Sequence, residues 1–156
     1  MVDQVVMDGI LGAYHYDAVN LLQILLKVQS VESENYISEE VASYVADRLG
    51  ISLSRVYEVV TYFAALSHKP QGKHVIQICN TTVCKLNGFN EVLGWFREAL
   101  NINAGETTSD GLFTLKLTPC IGACDISPAI KIGHKVYGNL NQEKVGSILS
   151  ELRGTM

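Results

Sequence analysis

The four cysteines of this 156-residue chain fall into two close pairs. Four residues separate Cys79 from Cys84, and three separate Cys120 from Cys124. Each pair begins where a predicted β-strand ends, and the ends of neighbouring strands lie side by side in a sheet. Two loops that are distant in sequence can therefore bring four thiolates together, where they could bind metal or undergo redox chemistry.

Several kinds of site use cysteines in this number. A [2Fe–2S] cluster takes four thiolates, whereas a structural zinc ion takes four ligands that are usually spaced more tightly, as in C-x2-C. Buried cysteines that only fill space are a third possibility. A dithiol oxidoreductase would use C-x-x-C, and a Rieske centre would need histidine ligands. The four histidines show no ligand spacing and are expected at the surface or in turns. The cysteine pattern therefore favours a [2Fe–2S] cluster and leaves a zinc site open.

Small and polar residues beside the cysteines suit an anionic cluster, which is stabilised by N–H and O–H donors. We expect Thr81 in the first loop and Gly122 and Ala123 in the second loop to support the cofactor. Gly122 can adopt a positive φ angle, which helps to turn backbone amides toward sulfur. Each of these residues could equally serve only to form a turn.

The composition changes at residues 68–72, where Pro70 and Gly72 break a helix and turn the chain. Helical periodicity alone precedes this point, and short β-type runs follow it. We therefore expect a helical domain over residues 1–70, for docking to a partner, and a second domain over residues 71–156.

Three helices are predicted in the first domain. Residues 18–28 form a helix that is apolar over most of its circumference and must be buried on several sides. A second helix should begin after a cap at Ser38 and end before Gly50. A third should begin at Ser52 or Ser54 and reach about Leu66.

The second domain alternates strands with helices. The predicted order is strand 74–78, helix 89–100, strand 113–117, strands 129–132 and 135–137 joined by a two-residue turn, and a helix from Asn141 to about Leu152. This order favours an α/β fold with one mixed sheet and flanking helices, preceded by a small N-terminal helical bundle.

Charge and hydropathy exclude some functions. The net charge is −4 and the chain contains no apolar run of the ~18 residues needed to span a membrane. Without a signal sequence, we expect a cytoplasmic protein with reduced thiols, no membrane insertion and no nucleic-acid partner. A redox-sensing DNA-binding regulator, with a helix-turn-helix over residues 38–63, is an alternative. This segment holds two bases and four acids, and its net negative charge opposes DNA binding.

Three segments together carry a family resemblance: Cys79 to Gly88 (CNTTVCKLNG), Gly105 to Leu115 (GETTSDGLFTL) and Pro119 to Pro128 (PCIGACDISP). They resemble the thioredoxin-like [2Fe–2S] ferredoxins, and more narrowly the small iron–sulfur subunits of NADH dehydrogenases and of NAD(P)-linked hydrogenases and formate dehydrogenases. The resemblance implies a thioredoxin-like sheet, cluster ligation by all four cysteines and a cis-proline at Pro128. Residues 35–38 and 60–63 depart from the family pattern, which affects the helical docking surface and leaves the cluster unaffected.

The resemblance also implies a role and its partners. The chain would be a non-catalytic, one-electron carrier subunit of an NAD(P)H-dependent oxidoreductase. It contains no G-x-G-x-x-G motif and no complete phosphate-binding loop, so FMN and NAD(P) would be bound by a partner subunit. Further iron–sulfur, hydrogenase or dehydrogenase subunits would complete the assembly. A zinc-binding assembly module is the alternative that remains open.

Overall fold

The computed structural model describes residues 3–154, in two compact units that meet in the chain between Pro70 and Gln71. Within these residues the first unit contains α1 (Gln4–Ala13), α2 (Leu21–Val31), α3 (Glu39–Leu49) and α4 (Leu53–Tyr62). The second contains β1 (His74–Cys79), α5 (Thr82–Leu86), α6 (Phe89–Leu100), β2 (Phe113–Thr118), β3 (Ile130–Ile132), β4 (Lys135–Tyr137) and α7 (Gln142–Gly154). None of the helices described is long and apolar enough to cross a membrane.

Helices α3 and α4 begin at serine caps, as the sequence predicts. The Ser38 side chain accepts a hydrogen bond from the Val41 N–H at 3.2 Å, and Ser52 accepts one from the Arg55 N–H at 3.3 Å. Such a cap typically stabilises a helix by about 1 kcal/mol. Gly50 ends α3 with a φ of 64°, a conformation that glycine adopts without steric cost.

The core of the first unit forms around α2. The prediction that the helix over residues 18–28 is buried on several sides is wrong, because Val19 and Leu26 are exposed. The buried residues of α2 form one stripe at helical spacing: Leu21, Ile24, Leu25 and Val28. They pack in one cluster with residues from the other three helices: Met7, Leu11, Val41, Ala42, Val45, Ala46, Val56 and Val60.

Two further features of the first unit differ from the prediction. Helix α1 is absent from the predicted elements, because it exposes Val5 and Val6 and buries only Met7 and Leu11, so its apolar stripe is weak. Helix α4 ends at Tyr62, four residues earlier than expected. The next residue, Phe63, is extended, with φ −86° and ψ 120°.

A polar cluster connects α1 to α3. The Tyr44 hydroxyl donates to Asp8 Oδ1 at 2.7 Å, and Arg48 Nε donates to the same oxygen at 2.8 Å. The hydrogen bond from Arg48 lowers the pKa of Asp8, and the bond from Tyr44 adds to this effect. Arg48 of α3 therefore helps to hold α1 in place through Asp8, although the hydrophobic pattern of α1 is weak.

The second unit is built on one four-stranded sheet in the order β2-β1-β3-β4. Strands β1 and β2 are parallel, and β3 runs antiparallel to both β1 and β4, so the predicted mixed sheet is confirmed. Its buried side chains form a core with α6 and α7, which includes Ile76, Ile78, Phe113, Leu115, Ile130, Phe96, Val92, Val145 and Leu149. The hairpin turn at Gly133-His134 also forms as predicted, with a φ of 58° at Gly133.

One histidine differs from its prediction. His74 lies in β1, and its Nε2 atom is buried with no hydrogen-bond partner among residues 3–154. Its ring centroid lies 5.7 Å from that of Phe113. Burial lowers the pKa of His74, and the nearby charge of Lys73 lowers it further. His74 begins the strand that Cys79 ends, so the two residues lie at opposite ends of β1.

The strand directions determine where the cysteines meet. Because β1 and β2 are parallel, both strands end at the same edge of the sheet, and both lead there into a cysteine loop. Strand β3 is antiparallel to β1, so it begins at that edge. The second cysteine loop therefore leaves from β2 and returns to the sheet beside Cys79, where the Cys79 N–H donates to the Ala129 carbonyl at 3.3 Å.

Candidate metal centre

The first cysteine loop is short and places its two sulfurs inside the protein. Cys79 is the last residue of β1, and Cys84 lies within α5, a five-residue helix that begins directly after Thr81. Both cysteines are buried, with 2% and 1% of their surface exposed. The sequence does not predict α5, because so short a helix has no apolar periodicity to detect.

The second cysteine loop keeps its sulfurs at the surface. Cys120 and Cys124 are both exposed. Gly122, between them, has a φ of 77°, and Cys124 begins a short 3₁₀ turn that ends at Ile126. The Ser127–Pro128 peptide bond is cis, as the resemblance implied.

Contacts between the loops bring the two cysteine pairs together. The Asn80 N–H donates to the Thr118 carbonyl at 3.1 Å, which joins the two strand ends just before Cys120. The Ile121 N–H of the second loop interacts with the sulfur of Cys79, and the Ala129 N–H interacts with the sulfur of Cys84. Each buried sulfur thus has its own backbone donor: Ile121, which lies between Cys120 and Cys124, for Cys79, and Ala129, which follows Cys124, for Cys84.

The thiols themselves are arranged as two interacting pairs. The Cys84 side chain lies close enough to Cys79 to lower the pKa of Cys79, and the Cys120 side chain raises the pKa of Cys124. Negative charge on Cys79 raises the pKa of both Cys84 and Cys124, so the pairs also lie within electrostatic range of each other. In residues 3–154 no three Cys, His, Asp or Glu side chains are grouped as ligands of a single metal ion.

The surroundings lower the pKa of Cys79 and raise the pKa of Cys84 and Cys124. Burial opposes the charged form of Cys79, but hydrogen bonds from the Thr81 side chain and N–H, from Cys84 and from the Ile121 N–H outweigh it and lower the pKa of Cys79. Burial raises the pKa of Cys84, and the neighbouring Cys79 raises it further. The hydrogen bond with Cys120 and the charge of the same thiol raise the pKa of Cys124.

Two of the three predicted supporting residues lie beside sulfur. The Thr81 hydroxyl is 3.1 Å from Cys79 Sγ, and the Gly122 N–H donates to Cys120 Sγ at 3.4 Å. Ala123 has a different position, because its carbonyl accepts from the Ile126 N–H and so shapes the turn that carries Cys124. The backbone donors of Ile121 and Ala129 are not predicted by the sequence, since a backbone N–H leaves no signal in residue identity.

The donor set fits a binuclear iron–sulfur cluster. Such a cluster takes four cysteine thiolates in all, and the chain supplies four thiols as two pairs. N–H and O–H groups directed at sulfur are the donors that an anionic cluster needs. The observed donors from Thr81, Ile121, Gly122 and Ala129 provide them on both pairs.

Comparisons with known proteins agree with this site. The family model described as thioredoxin-like [2Fe–2S] ferredoxin matches residues 7–153. HndA, a subunit of the NADP-reducing hydrogenase of Solidesulfovibrio fructosivorans, is 37% identical over 132 residues, which cover 85% of this chain and 76% of the relative. One of the subunits of the NADH-quinone oxidoreductase of Escherichia coli is 31% identical over 145 residues, which cover 90% of this chain and 84% of the relative.

A solved structure has the same fold. One chain of an NAD+-reducing [NiFe]-hydrogenase, in its air-oxidized state, superposes on 90% of this chain with a TM-score of 0.76. The sequences are 15% identical, and this chain covers only 24% of that longer chain. This likeness concerns the fold, and together with the family match it confirms the predicted thioredoxin-like α/β class.

Proposed function

The chain belongs to the thioredoxin-like [2Fe–2S] ferredoxin family, and from that membership we propose that it is a one-electron carrier subunit of an NAD(P)H-linked oxidoreductase. It would bind one [2Fe–2S] cluster through Cys79, Cys84, Cys120 and Cys124. The observation that carries the proposal is the convergence of two thiol pairs at one edge of the sheet, with N–H donors directed at their sulfurs.

The two cysteine pairs would contribute differently to the cluster site. When bound, a [2Fe–2S] cluster accepts and releases single electrons. The donors on Cys79 favour its thiolate, the form that binds metal. The buried first pair would shield one side of the site from water, whereas the exposed second pair leaves the other side open to a redox partner.

The proposal requires other subunits. This chain has no dinucleotide-binding motif, so hydride transfer would occur on a partner that binds flavin and NAD(P). Both relatives are named as subunits of larger enzymes, which supports an assembly with further iron–sulfur, hydrogenase or dehydrogenase chains. We place the assembly in the cytoplasm, where thiols stay reduced.

Metal analysis tests the proposal against the zinc alternative. The chain, purified without oxygen, should be brown and contain about two irons and two acid-labile sulfides. Its visible absorption should bleach when dithionite is added. A colourless protein with stoichiometric zinc would instead support a zinc-binding assembly module and contradict the electron-carrier function.

We further propose that the helical unit, up to Pro70, docks to a partner subunit. It exposes several large apolar side chains, and Tyr62 is the most exposed aromatic among them, with 82% of its surface accessible. Its ring makes an edge-on contact with Phe63, at a centroid distance of 5.1 Å. Exposed aromatic groups of this kind are frequent anchors of protein interfaces.

Replacing Tyr62 with alanine should weaken docking without unfolding the chain, because the side chain contributes little to the core. We expect the Kd for the purified flavin subunit to rise at least about tenfold, as is typical for an aromatic anchor. Val136→Ala, which truncates an exposed side chain of the sheet unit, is the control. Equal affinities for the two variants would exclude Tyr62 from the interface.

Replacing Thr81 with valine should lower the reduction potential of the cluster. The hydroxyl 3.1 Å from Cys79 Sγ stabilises negative charge on sulfur, and the reduced cluster carries more of that charge. A redox titration followed by visible absorption measures the shift, with the exposed neighbour Thr82→Val as a matched control. An unchanged potential in Thr81→Val would show that its hydroxyl does not act on the cluster.

A further inference from the structure

A side-chain hydrogen bond joins the two cysteine loops. The Asn87 side-chain amide donates to the Ser127 hydroxyl at 2.6 Å, across 40 residues of sequence. Asn87 follows α5 directly, and Ser127 follows the 3₁₀ turn that begins at Cys124. Neither residue lies between the cysteines of its pair, and neither is among the ligands or supporting residues predicted from the sequence.

Both ends of this bond are tied to a cysteine. The Asn87 N–H donates to the carbonyl of Cys84 at 3.2 Å, and the Ser127 N–H donates to the carbonyl of Cys124 at 3.3 Å. The Asn87 side chain therefore completes a continuous chain of hydrogen bonds from Cys84 in the buried pair to Cys124 in the exposed pair.

We propose that Asn87 and Ser127 are positioning residues, which form an interloop bridge that holds Cys124 at the correct distance from Cys84 for the cluster. This inference rests on the proposed function, because it assumes that the four cysteines bind one cofactor. Neither side chain would touch the cofactor. They act by holding the peptide segments that carry two of its ligands.

The local structure explains why a bridge is needed. Helix α5 has five residues, far fewer than the ~12–15 that an isolated helix needs for stability in water, so tertiary contacts must hold it. The second loop exposes both of its cysteines, so core packing does not fix their positions. The Asn139 N–H donates to the carbonyl of Ile126, the residue before Ser127, at 2.6 Å, and the bridge joins the same segment to the residue that follows α5.

The backbone around the bridge is also suited to this contact. Gly88 has a φ of 107°, which allows the chain to turn sharply between Asn87 and α6. Pro128 lies close to Gly88, since a Cβ atom built there would be 3.8 Å from Pro128 Cγ. The residues after Asn87 and after Ser127 are therefore neighbours too, so the bridge is the polar part of a wider loop contact.

Cluster release from the complete holo-chain tests the bridge. Ser127→Val removes the hydroxyl. Ser127→Thr keeps the hydroxyl, and the threonine side chain has nearly the same shape as valine. We expect an iron chelator, added without oxygen, to bleach the visible absorption of Ser127→Val and Asn87→Ala roughly tenfold faster than that of the wild type. Ser127→Thr should release its cluster at the wild-type rate, and the electron paramagnetic resonance spectrum of the reduced cluster should change only in the first two variants.

A double variant separates a shared bridge from two unrelated effects. Because Asn87 and Ser127 act through one hydrogen bond, Asn87→Ala combined with Ser127→Val should release its cluster no faster than either single variant. Asn90→Ala and Ser147→Ala, at exposed helical positions, are controls for surface substitution. Circular dichroism establishes that each variant is folded.

Distinct results contradict the bridge and the proposed function. Equal release rates for Ser127→Val and Ser127→Thr, or additive effects in the double variant, would overturn the bridge while the cluster assignment stands. A wild-type chain that binds no iron and sulfide would overturn the proposed function itself. Loss of the cluster from the exposed-position controls as well would also contradict a specific role for Asn87 and Ser127.

Discussion

Replacing Cys120 with serine is expected to abolish stable binding of the [2Fe–2S] cluster while the chain stays folded. Serine is a poor substitute for a thiolate toward iron, and the cluster needs all four ligands. Cys120 is exposed, so the substitution creates no cavity in either core. The visible absorption and the iron and sulfide content should fall together, while the far-ultraviolet circular dichroism shows the helices and sheet intact.

Asp125→Asn is the matched control for this experiment. Asp125 is exposed in the same loop, beside Cys124, and its carboxylate raises the pKa of that thiol through its charge. The amide variant should therefore keep the cluster. If Cys120→Ser kept its spectrum, its iron and its capacity to accept electrons from dithionite, Cys120 would not be a ligand.

Replacing Phe96 with alanine is expected to lower the free energy of unfolding of the sheet unit by roughly 3–5 kcal/mol. Phe96 lies on α6 and is completely buried in the core that this helix forms with the sheet. The smaller side chain removes apolar contact and leaves a cavity that the surrounding strands and helices can only partly fill. Chemical denaturation of the holo-chain, followed by circular dichroism, measures the change.

Glu98→Ala provides the comparison on the same helix. Glu98 is exposed, so its substitution should change the free energy of unfolding by no more than about 0.5 kcal/mol. Because the chain has two compact units, the comparison uses the denaturation step that belongs to the sheet unit. Equal stability of the two variants would contradict the packing of Phe96.

The amino-acid sequence alone is sufficient to predict most of the second unit. Strands β1 and β2 are evident from short apolar or alternating runs, and α6 from an apolar stripe at helical spacing. These patterns persist in sequence because burial selects residue type at each position of a regular element. For the same reason α1 and α5 escape prediction, since α1 buries few residues and α5 is shorter than two helical turns.

Sequence also determined which side chains could form the site. The two cysteine pairs, their position at strand ends and the polar residues Thr81 and Gly122 beside them are visible without coordinates. They are visible because ligation requires a particular side chain, and only cysteine supplies a thiolate. Their spacing did not by itself separate an iron–sulfur cluster from zinc.

Only the tertiary structure decided how these groups are arranged. It buried Cys79 and Cys84, and it exposed Cys120 and Cys124. It also directed the N–H groups of Ile121 and Ala129 at the two buried sulfurs and joined the loops through Asn87. Backbone donors are the same in every residue except proline, so their targets depend on where the sheet places each loop. The chemistry of the site is thus encoded in residue type, and its geometry arises from the parallel pairing of β1 with β2 and the return of the chain through β3.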